Sequence, residues 1–376
     1  MLTVSRYLTA PDALPSAMAR SARPTVRDIG CLMRRPLVRR VRGGVAAALA
    51  GGLRVSVRAS VLVSMLAGCQ VRAADSSAVR WPQRPVHLIV STAAGGASDI
   101  MARLLGERLQ PLWGEQVLVE NRTGGGAVIA TEAVVRAAPD GHVLGLLASS
   151  FVVTSALRDD MPYIITRDLR AVTHVGSAPA LLVSRADFPA GTAGEVIALA
   201  RARPGQLSYG SPSINSNGHR AGEVFKRDAR IDLVHVPFKG GAPATAALLG
   251  GQIDLMMATP TGFQQHIASG RLKVIGVSSA RRFPAFPDAP TFAESGLPGF
   301  DRVEWWLVVA PARTPAALVD RIYRDVATAT RSGDFHARML DLGIDTFAAS
   351  PAESARFLAA EIERWGREAR PLGLTP

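Results

Sequence analysis

Apolar runs and stretches of helical periodicity alternate along the chain from Trp81 to its end. The first run, Val86–Val90, is short, apolar and rich in β-branched residues, which is typical of a buried strand. Ile100, Leu104 and Leu105 follow at the spacing of one helix face. The pattern therefore predicts a strand, a loop and a helix in direct succession.

The same alternation continues through the rest of the chain. Further strands are predicted at 116–120, 142–148, 171–175, 180–184, 207–210, 233–237, 253–258, 273–278 and 305–310. Helices are predicted at 127–138, 192–202, 220–227, 242–249, 263–268, from 314 onward and at 350–370. Capping boxes at Thr192–Glu195 and Ser350–Glu353 mark two of the helix starts. This order favours open, mainly parallel sheets with helices on both faces, and its length suits two such domains with a ligand cleft between them.

The loop Ser91–Asp99 consists of small residues around Gly95 and Gly96. Ser98 and Asp99 stand where a helix N-cap belongs, so free backbone N–H groups of the helix start converge on this loop. Such a point favours an anion by up to about 2 kcal/mol. Neither a P-loop nor a dinucleotide fingerprint matches it. We interpret the loop as the floor of a carboxylate pocket, and an ordinary turn between a strand and a helix is the alternative.

Two other polar loops are candidates for the same ligand. The loop 209–219 precedes a predicted helix and carries hydroxyl and amide side chains at Ser211, Ser213, Asn215, Ser216 and Asn217. These groups suit a carboxylate or an amino acid, although an ordinary polar loop has the same composition. Ser149 and Ser150 follow the strand 142–148, at the strand end where α/β sheets bind ligands.

The last predicted strand begins beside Glu304, Trp305 and Trp306. Because successive side chains of a strand point to opposite faces of the sheet, the two tryptophans lie on different faces. One of them is expected in the core, and the other is expected to face the cleft. Glu304 shares the face of Trp306. It is either a solvated charge at the start of the strand or a carboxylate that binds a ligand ammonium, which would favour an amino acid over a di- or tricarboxylate.

No motif for catalysis, a metal or a cofactor stands out. Asn121–Gly126 is glycine-rich, but Ile129 stands where a dinucleotide fingerprint needs its last glycine. The 7 histidines show no metal-binding spacing, and His219 is expected to be a structural hydrogen-bonding group. There is no G-x-S-x-G, and both cysteines lie within residues 1–80. We predict no enzyme, no cofactor and no metal; a periplasmic enzyme with Asp99 or His219 as a lone base is the alternative.

The formal net charge of +12 is concentrated at the N-terminus. Residues 1–80 carry a net charge of +10, whereas residues 81–376 carry +2. The second part has no basic run and no recognition-helix pattern, so we exclude nucleic acid as a partner.

Residues 1–80 are interpreted as a leader rather than as part of the fold. An arginine-rich segment precedes two apolar stretches, 45–53 and 59–68, and neither reaches the roughly 20 residues of a spanning helix. The second stretch ends in the lipobox-like Leu66–Cys69, and an ordinary cleavage site at 71–74 follows. Lipidation of Cys69 and soluble release both remain open. Because the leader is too long for one signal peptide, we expect translation to begin at Met33 and the protein to be exported to the periplasm.

Ordered sequence blocks from about Trp81 to the C-terminus resemble the Bug-type periplasmic solute receptors, the binding proteins of tripartite tricarboxylate transporters. The blocks are WPQRPVHLIV, the GG-x-x-D loop, VENRTGGG, AAPDGH, LSYGS…H-x-AGE, VHVPFKG-x-AP, LLGGQIDLMM, FPDAPTFAESGLPGF and W-x-x-x-AP-x-x-TP. The resemblance implies two lobes that close over a small organic anion without catalysis. It also implies that backbone N–H groups and waters at the first and second loops hold one carboxylate. In this chain the first loop is Ala94, Gly95, Gly96 and Asp99, and the second is Ser211 to Ser216, with His219 beyond.

The chain departs from the family pattern at three places. Ala94 stands where a proline commonly precedes the double glycine. Ser213 and Asn215 stand where glycines are usual, which leaves the backbone geometry of the second loop open. Glu304 stands where a small hydroxyl residue usually precedes the tryptophan.

We therefore expect an α/β, two-lobed periplasmic-binding-protein fold, with each lobe a mainly parallel sheet flanked by helices. Lobe 1 is predicted at 81–180 plus 299–376, and lobe 2 at 181–298. The predicted function is capture of a small organic acid or amino acid, by a monomer, for the membrane components of a tripartite transporter; a ligand sensor for a membrane signalling partner is the alternative. The predicted ligand-binding residues are Ala94, Gly95, Gly96, Asp99, Ser149, Ser150, Ser211, Ser213, Asn215, Ser216 and Glu304.

Overall fold

The structure is a computed structural model that describes residues 81–375. The predicted leader, the start at Met33 and the lipidation of Cys69 concern residues outside this range. Within the described range, no helix combines the length and the apolar character needed to cross a membrane.

Eleven strands in the described residues form two sheets. In chain order they are β1 (Val86–Val90), β2 (Val117–Asn121), β3 (Val143–Ala148), β4 (Leu169–Pro179), β5 (Leu181–Arg185), β6 (Ser208–Ser211), β7 (Val234–Pro237), β8 (Leu255–Ala258), β9 (Leu272–Val277), β10 (Val303–Pro311) and β11 (Asp345–Thr346). The first sheet has six strands in the order β11-β4-β10-β3-β1-β2, and the second has five in the order β7-β6-β8-β5-β9. Each sheet is the centre of one lobe.

Helices connect most of these strands. They are α1 (Ala97–Trp113), α2 (Val128–Val135), α3 (Ser150–Leu157), α4 (Ile165–Asp168), α5 (Ala193–Ala202), α6 (Asn217–Ala229), α7 (Gly241–Leu249), α8 (Gln264–Ala268), α9 (Ala316–Thr330), α10 (Gly333–Asp341) and α11 (Pro351–Glu368). The capping boxes predicted at Thr192 and Ser350 are present, with both reciprocal hydrogen bonds formed.

Both faces of each sheet are covered. Leu88 and Ile89 are consecutive in β1, yet they belong to separate buried clusters on opposite faces of the first sheet. Leu181 and Leu182 divide in the same way between the two faces of the second sheet. Because successive side chains of a strand point to opposite faces, both sheets need apolar runs rather than alternating ones.

The two-lobed α/β fold is confirmed, but the sheets are mixed rather than mainly parallel. β1 is parallel to β2 and β3, whereas β10 is antiparallel to β3 and β4. In the second sheet β6 is parallel to β7 and β8, whereas β5 is antiparallel to β8 and β9. β4 and β5 belong to the segment that leaves the first sheet for the second, and β9 and β10 flank the segment that returns, so the pairs β4–β10 and β5–β9 are antiparallel.

Two segments of the described chain connect the lobes, and they are hydrogen-bonded to each other. Ala180 joins β4 to β5, and residues 278–302 join β9 to β10. The Ala180 amide donates to Ser278 Oγ at 2.7 Å, and the Ser278 amide donates to the Ala180 carbonyl at 3.0 Å. The Arg302 amide in turn donates to the Ser278 carbonyl at 2.8 Å. These bonds lie next to the lobe boundaries expected at 180 and 299, which stay a prediction.

His174 is a buried titratable group in β4. Its ring stacks on Phe357 with 4.2 Å between ring centres, and its Nε2 lies 3.2 Å from the Gly176 carbonyl, to which the neutral ring donates. Burial lowers the pKa of His174 to about 4. The folded protein therefore holds a neutral imidazole where the unfolded chain, with its ordinary histidine pKa, is protonated.

Lowering the pH from 6.5 to 4 is expected to reduce the free energy of unfolding by on the order of 3 kcal/mol through His174. Between pH 6.5 and 4 the histidine is protonated in the unfolded state but neutral in the folded state, so the free energy of unfolding falls as the pH falls. Below about pH 4 the histidine is protonated in both states, and the free energy of unfolding falls no further through this group. Urea unfolding of the wild type and of His174→Leu across this range isolates the contribution. If the free energy of unfolding changed with pH equally in the two proteins, the conclusion that buried His174 is neutral would be contradicted.

Candidate functional site

A cavity of about 620 Å³ lies between the two lobes. The first lobe contributes the loop after β1 with the start of α1, the junction of β3 and α3, and the beginning of β10. The second lobe contributes the loop between β6 and α6. Both loops that the sequence marks as polar or glycine-rich candidates therefore reach the same space.

Three helices begin at this cavity, α1 at Ala97, α3 at Ser150 and α6 at Asn217. Ser98 and Gly218, the second residues of α1 and α6, also line it. The backbone amides of these five residues have no hydrogen-bond acceptor among the described residues. Each helix start carries roughly half a positive charge, and the three together favour an anion in the cavity.

Gly218 brings the start of α6 into direct contact with the end of β8. A Cβ atom added at Gly218 would lie 1.8 Å from the Met257 carbonyl oxygen and 3.1 Å from the Ala258 Cα. No larger residue fits unless one of the two backbones moves. Glycine at this position therefore sets the position of the free amides of α6 relative to the sheet.

Asp99 holds the first loop in shape from beneath. Its Oδ2 accepts hydrogen bonds from the Gly95 amide at 2.9 Å and from Arg103 Nε at 3.0 Å. Its Oδ1 accepts from Asn121 Nδ2 at 3.0 Å. The hydrogen bond with Arg103 is the main cause that lowers the pKa of Asp99 to about 2. Since Asp99 is buried beneath the loop and is not part of the cavity wall, it acts here as a tether of the loop.

The second loop reaches its conformation without the glycine that the family resemblance leads one to expect. Asn215 has a φ of +58°, in the left-handed region that asparagine tolerates better than most residues. The backbone amide of Asn215 donates to His219 Nδ1 at 3.0 Å, which gives His219 a structural hydrogen bond. Ser216 Oγ caps α6 by accepting from the His219 amide. Ser211 is buried and lies 2.7 Å from His235 Nε2, away from the cavity wall.

An ion pair that joins the two lobes closes one side of the cavity. Arg220, on α6, donates from Nη2 to Glu304 Oε2 at 3.2 Å and to Ser149 Oγ. Glu304, on β10, also accepts from the Ser149 amide at 2.9 Å. The Arg220 guanidinium lies 5.5 Å from the ring centre of Trp365 and donates from Nη1 to the Asn215 carbonyl. Side-chain exposure is 3% for Arg220 and 14% for Glu304, so the carboxylate is the part of the pair nearer to the open space.

Arg220 does not stand out in the sequence as a cavity residue. It stands at the unspecified position x of the H-x-AGE block. Arginines on a helix such as α6 are usually interpreted as surface charges. The available signal was the departure at Glu304, since a carboxylate in a place usually occupied by a small hydroxyl requires a compensating cation somewhere in the fold.

Four buried polar atoms of the cavity residues have no hydrogen-bond partner within residues 81–375. They are Thr92 Oγ1, Asn215 Oδ1, Asn217 Nδ2 and Arg220 Nε. Buried polar groups in folded proteins are nearly always hydrogen-bonded. The atoms of Thr92, Asn215 and Asn217 therefore offer hydrogen-bond donors and acceptors to a bound molecule or its hydration water.

His219, Glu223 and His235 bring their ligand atoms within 4.8 Å of one another beside the second loop. The two imidazole rings are stacked, with 4.1 Å between centres and 17° between planes. Lone pairs of parallel rings do not converge on one point, and Glu223 already accepts from Tyr209 and Lys226. The cluster is therefore better suited to packing and hydrogen bonding than to tetrahedral metal coordination.

The structure places the predicted ligand-binding residues in two groups. Those that line the cavity are Gly96, Ser150, Ser213, Asn215, Ser216 and Glu304. Those that lie outside its wall are Ala94, Gly95, Asp99, Ser149 and Ser211. Asp99 and Ser149 still act on the wall indirectly, through the first loop and through Glu304 respectively.

The two tryptophans of β10 divide between the faces of the first sheet. Trp305 is in the buried cluster that contains Phe151. Trp306 lines the cavity and donates from Nε1 to Ser98 Oγ at 2.8 Å, which ties β10 to the start of α1. Two further cavities, of about 520 and 420 Å³, lie within single lobes and contain none of the predicted ligand-binding residues.

Comparison with known protein families gives one extended match. Residues 101–374 match the family described as the tripartite tricarboxylate transporter family receptor. Protein BugT of Bordetella pertussis is 34% identical over 303 residues, which cover 80% of this chain and 93% of BugT.

Two solved structures are similar over the same part of the chain. An R. palustris protein with adipate is 30% identical, with a TM-score of 0.69 over 79% of this chain and 99% of that one. MatC from Rhodopseudomonas palustris with bound malate is 29% identical, with a TM-score of 0.66 over 77% of this chain and 100% of MatC. The chain thus spans essentially the whole length of both structures.

Proposed function

The chain belongs to the tripartite tricarboxylate transporter receptor family, and we propose that it captures a small carboxylate-bearing metabolite in the cleft between its lobes. The observation that carries this proposal is the convergence of three helix starts, with free amides at Ala97, Ser150 and Asn217, on one interlobe cavity. Free N–H groups at helix starts bind carboxylates without any cationic side chain.

The ligand class is a small organic acid or amino acid. Relatives at about 30% identity have structures with adipate and with malate, which supports a carboxylate ligand here as well. The unpartnered atoms of Thr92, Asn215 and Asn217 supply hydrogen bonds for the remainder of the ligand. In this proposal the lobes 81–180 plus 299–376 and 181–298 close over the ligand.

The proposed role is binding without turnover. The exported receptor, soluble or anchored through Cys69, works as a monomer in the periplasm and delivers its ligand to the membrane components of a tripartite transporter. The family membership supports this role because its members are solute-binding receptors.

Adding the correct acid at about 100 times its dissociation constant is expected to stabilise the full-length protein by about 2.7 kcal/mol. Thermal unfolding against mono-, di- and tricarboxylates, amino acids and aromatic acids measures this effect. Each acid is paired with its carboxamide, which should give no shift because it lacks the carboxylate anion. Mass spectrometry of the recovered acid should show it unchanged.

Two results would contradict the proposal. One is the absence of any shift across the panel, and the other is an equal shift with an acid and its amide. Chemical conversion of a bound acid would instead favour the periplasmic enzyme.

A further inference from the structure

The cavity contains a balanced pair of charges. Of the described residues that line it, Arg220 and Glu304 are the two whose side chains are charged, and they are bonded to each other. The remaining polar groups of the wall are hydroxyls, amides and backbone N–H groups. The pair lies at the starts of α3 and α6, because Glu304 accepts from the Ser149 amide and Arg220 is the fourth residue of α6, so the start of α1 is the end of the cavity that this pair does not occupy.

The geometry of the pair decides which charge a ligand meets. Arg220 is 97% buried at its side chain, and its guanidinium is engaged by Glu304, Ser149, the Asn215 carbonyl and the Trp365 ring. Glu304 is more exposed and faces the same space. A ligand group that approaches this wall meets a carboxylate first, with the guanidinium behind it.

A second carboxylate on the ligand would be unfavourable at this wall. It would face Glu304, and it would reach Arg220 Nη2 only by breaking the bond between the lobes. Arg220 Nε has no partner among the described residues, but it is buried. A ligand ammonium gains little, because Arg220 already neutralises Glu304 and a buried ammonium loses its hydration. An uncharged end, whether apolar or a hydroxyl, disturbs neither member of the pair.

We propose that the Arg220–Glu304 pair sets the specificity of the cleft and selects monocarboxylates with an uncharged remainder over dicarboxylates and over ω-amino acids. This inference rests on the proposed function, since it assumes that one carboxylate binds at the free amides of Ala97 and Ser98 at the start of α1. It differs from the expectation that Glu304 binds a ligand ammonium, which treated the carboxylate as unpaired.

The test uses matched acids that differ only at the far end. The six-carbon set is hexanoate, 6-hydroxyhexanoate, adipate and 6-aminohexanoate, and equivalent four-carbon and eight-carbon sets cover other lengths. Calorimetry and thermal unfolding of the full-length protein give the relative affinities. The uncharged members of a set should bind at least tenfold more tightly than the diacid and the amino acid, which is about 1.4 kcal/mol.

Changing one partner of the pair should change the preference in a defined direction. Glu304→Gln keeps the shape and leaves Arg220 uncompensated, so affinity for the diacid should rise at least tenfold. Arg220→Met keeps the packing on Trp365 and leaves Glu304 uncompensated, so the amino acid should gain and the diacid should weaken further. The double variant removes both charges and should restore the wild-type order. If Arg220→Met fails to fold, the wild-type ratios and Glu304→Gln still decide the question.

The possible outcomes distinguish a failure of the specificity proposal from a failure of the proposed receptor function. A wild type that binds the diacid as tightly as the uncharged acids overturns the specificity proposal and leaves the receptor intact. If Glu304→Gln binds the acids with the same order of affinities as the wild type, the specificity proposal is also overturned. If no acid of any set binds, the carboxylate receptor itself is overturned, and this inference with it.

Discussion

Gly218→Ala is expected to weaken ligand binding by about 100-fold or more, because the start of α6 can no longer lie against the end of β8. An alanine Cβ would lie 1.8 Å from the Met257 carbonyl oxygen, and backbone cannot yield as a flexible side chain can. Alanine normally favours a helix over glycine by about 1 kcal/mol, so a loss here would come from the clash alone. The shift would move the amides of Asn217 and Gly218 away from the positions they hold in the cavity wall.

Two measurements check this expectation. Calorimetry with an acid that stabilises the wild type measures the affinity, and urea unfolding measures a destabilisation of about 1–3 kcal/mol, typical of overpacking. Gly241→Ala is the matched control, since Gly241 also begins a helix of the second lobe but an added Cβ there meets nothing within 4 Å. Wild-type affinity in Gly218→Ala would show that the start of α6 does not hold the ligand.

Asp99→Ala is expected to lower the free energy of unfolding by about 2–4 kcal/mol and to weaken ligand binding as the first loop loses its tether. The substitution leaves the Gly95 amide and Asn121 Nδ2 without their buried acceptor. Because the pKa of Asp99 is held at about 2, its stabilising effect is present above the ordinary aspartate pKa and is lost as the pH falls from about 4 to 2.

Urea unfolding from pH 7 to pH 2 measures both parts of this prediction. Asp99→Asn should lose the pH-dependent part and one of the two acceptor oxygens, because its amide nitrogen donates. Asp288→Ala, at an exposed carboxylate, should behave like the wild type. A stable Asp99→Ala protein with full ligand affinity would show that the loop keeps its conformation without the carboxylate.

Local patterns predicted the elements that depend on neighbouring residues. The strand at Val86–Val90 and the capping boxes at Thr192 and Ser350 lie where the sequence predicts them. Each of these signals acts over a few residues, through side-chain alternation or through a bond from a cap to the third helical residue.

Elements that depend on distant partners were missed. The helix Ser150–Leu157 is apolar on most sides and continues the apolar run of β3, so periodicity does not separate it from the strand. Its start is held by Glu304, 155 residues along the chain from Ser149. β11 has two residues and exists only through its pairing with β4.

The sequence by itself determined most of the strands and helices, the two loops that line the cavity and, through its ordered blocks, the family. Only the tertiary structure decided that the sheets are mixed, that three helix starts share one cavity, and that Arg220 neutralises Glu304 across the lobes. The physical reason is range. Periodicity and capping act between near neighbours, whereas Arg220 and Glu304 are 84 residues apart and meet only once both lobes have buried their sheets.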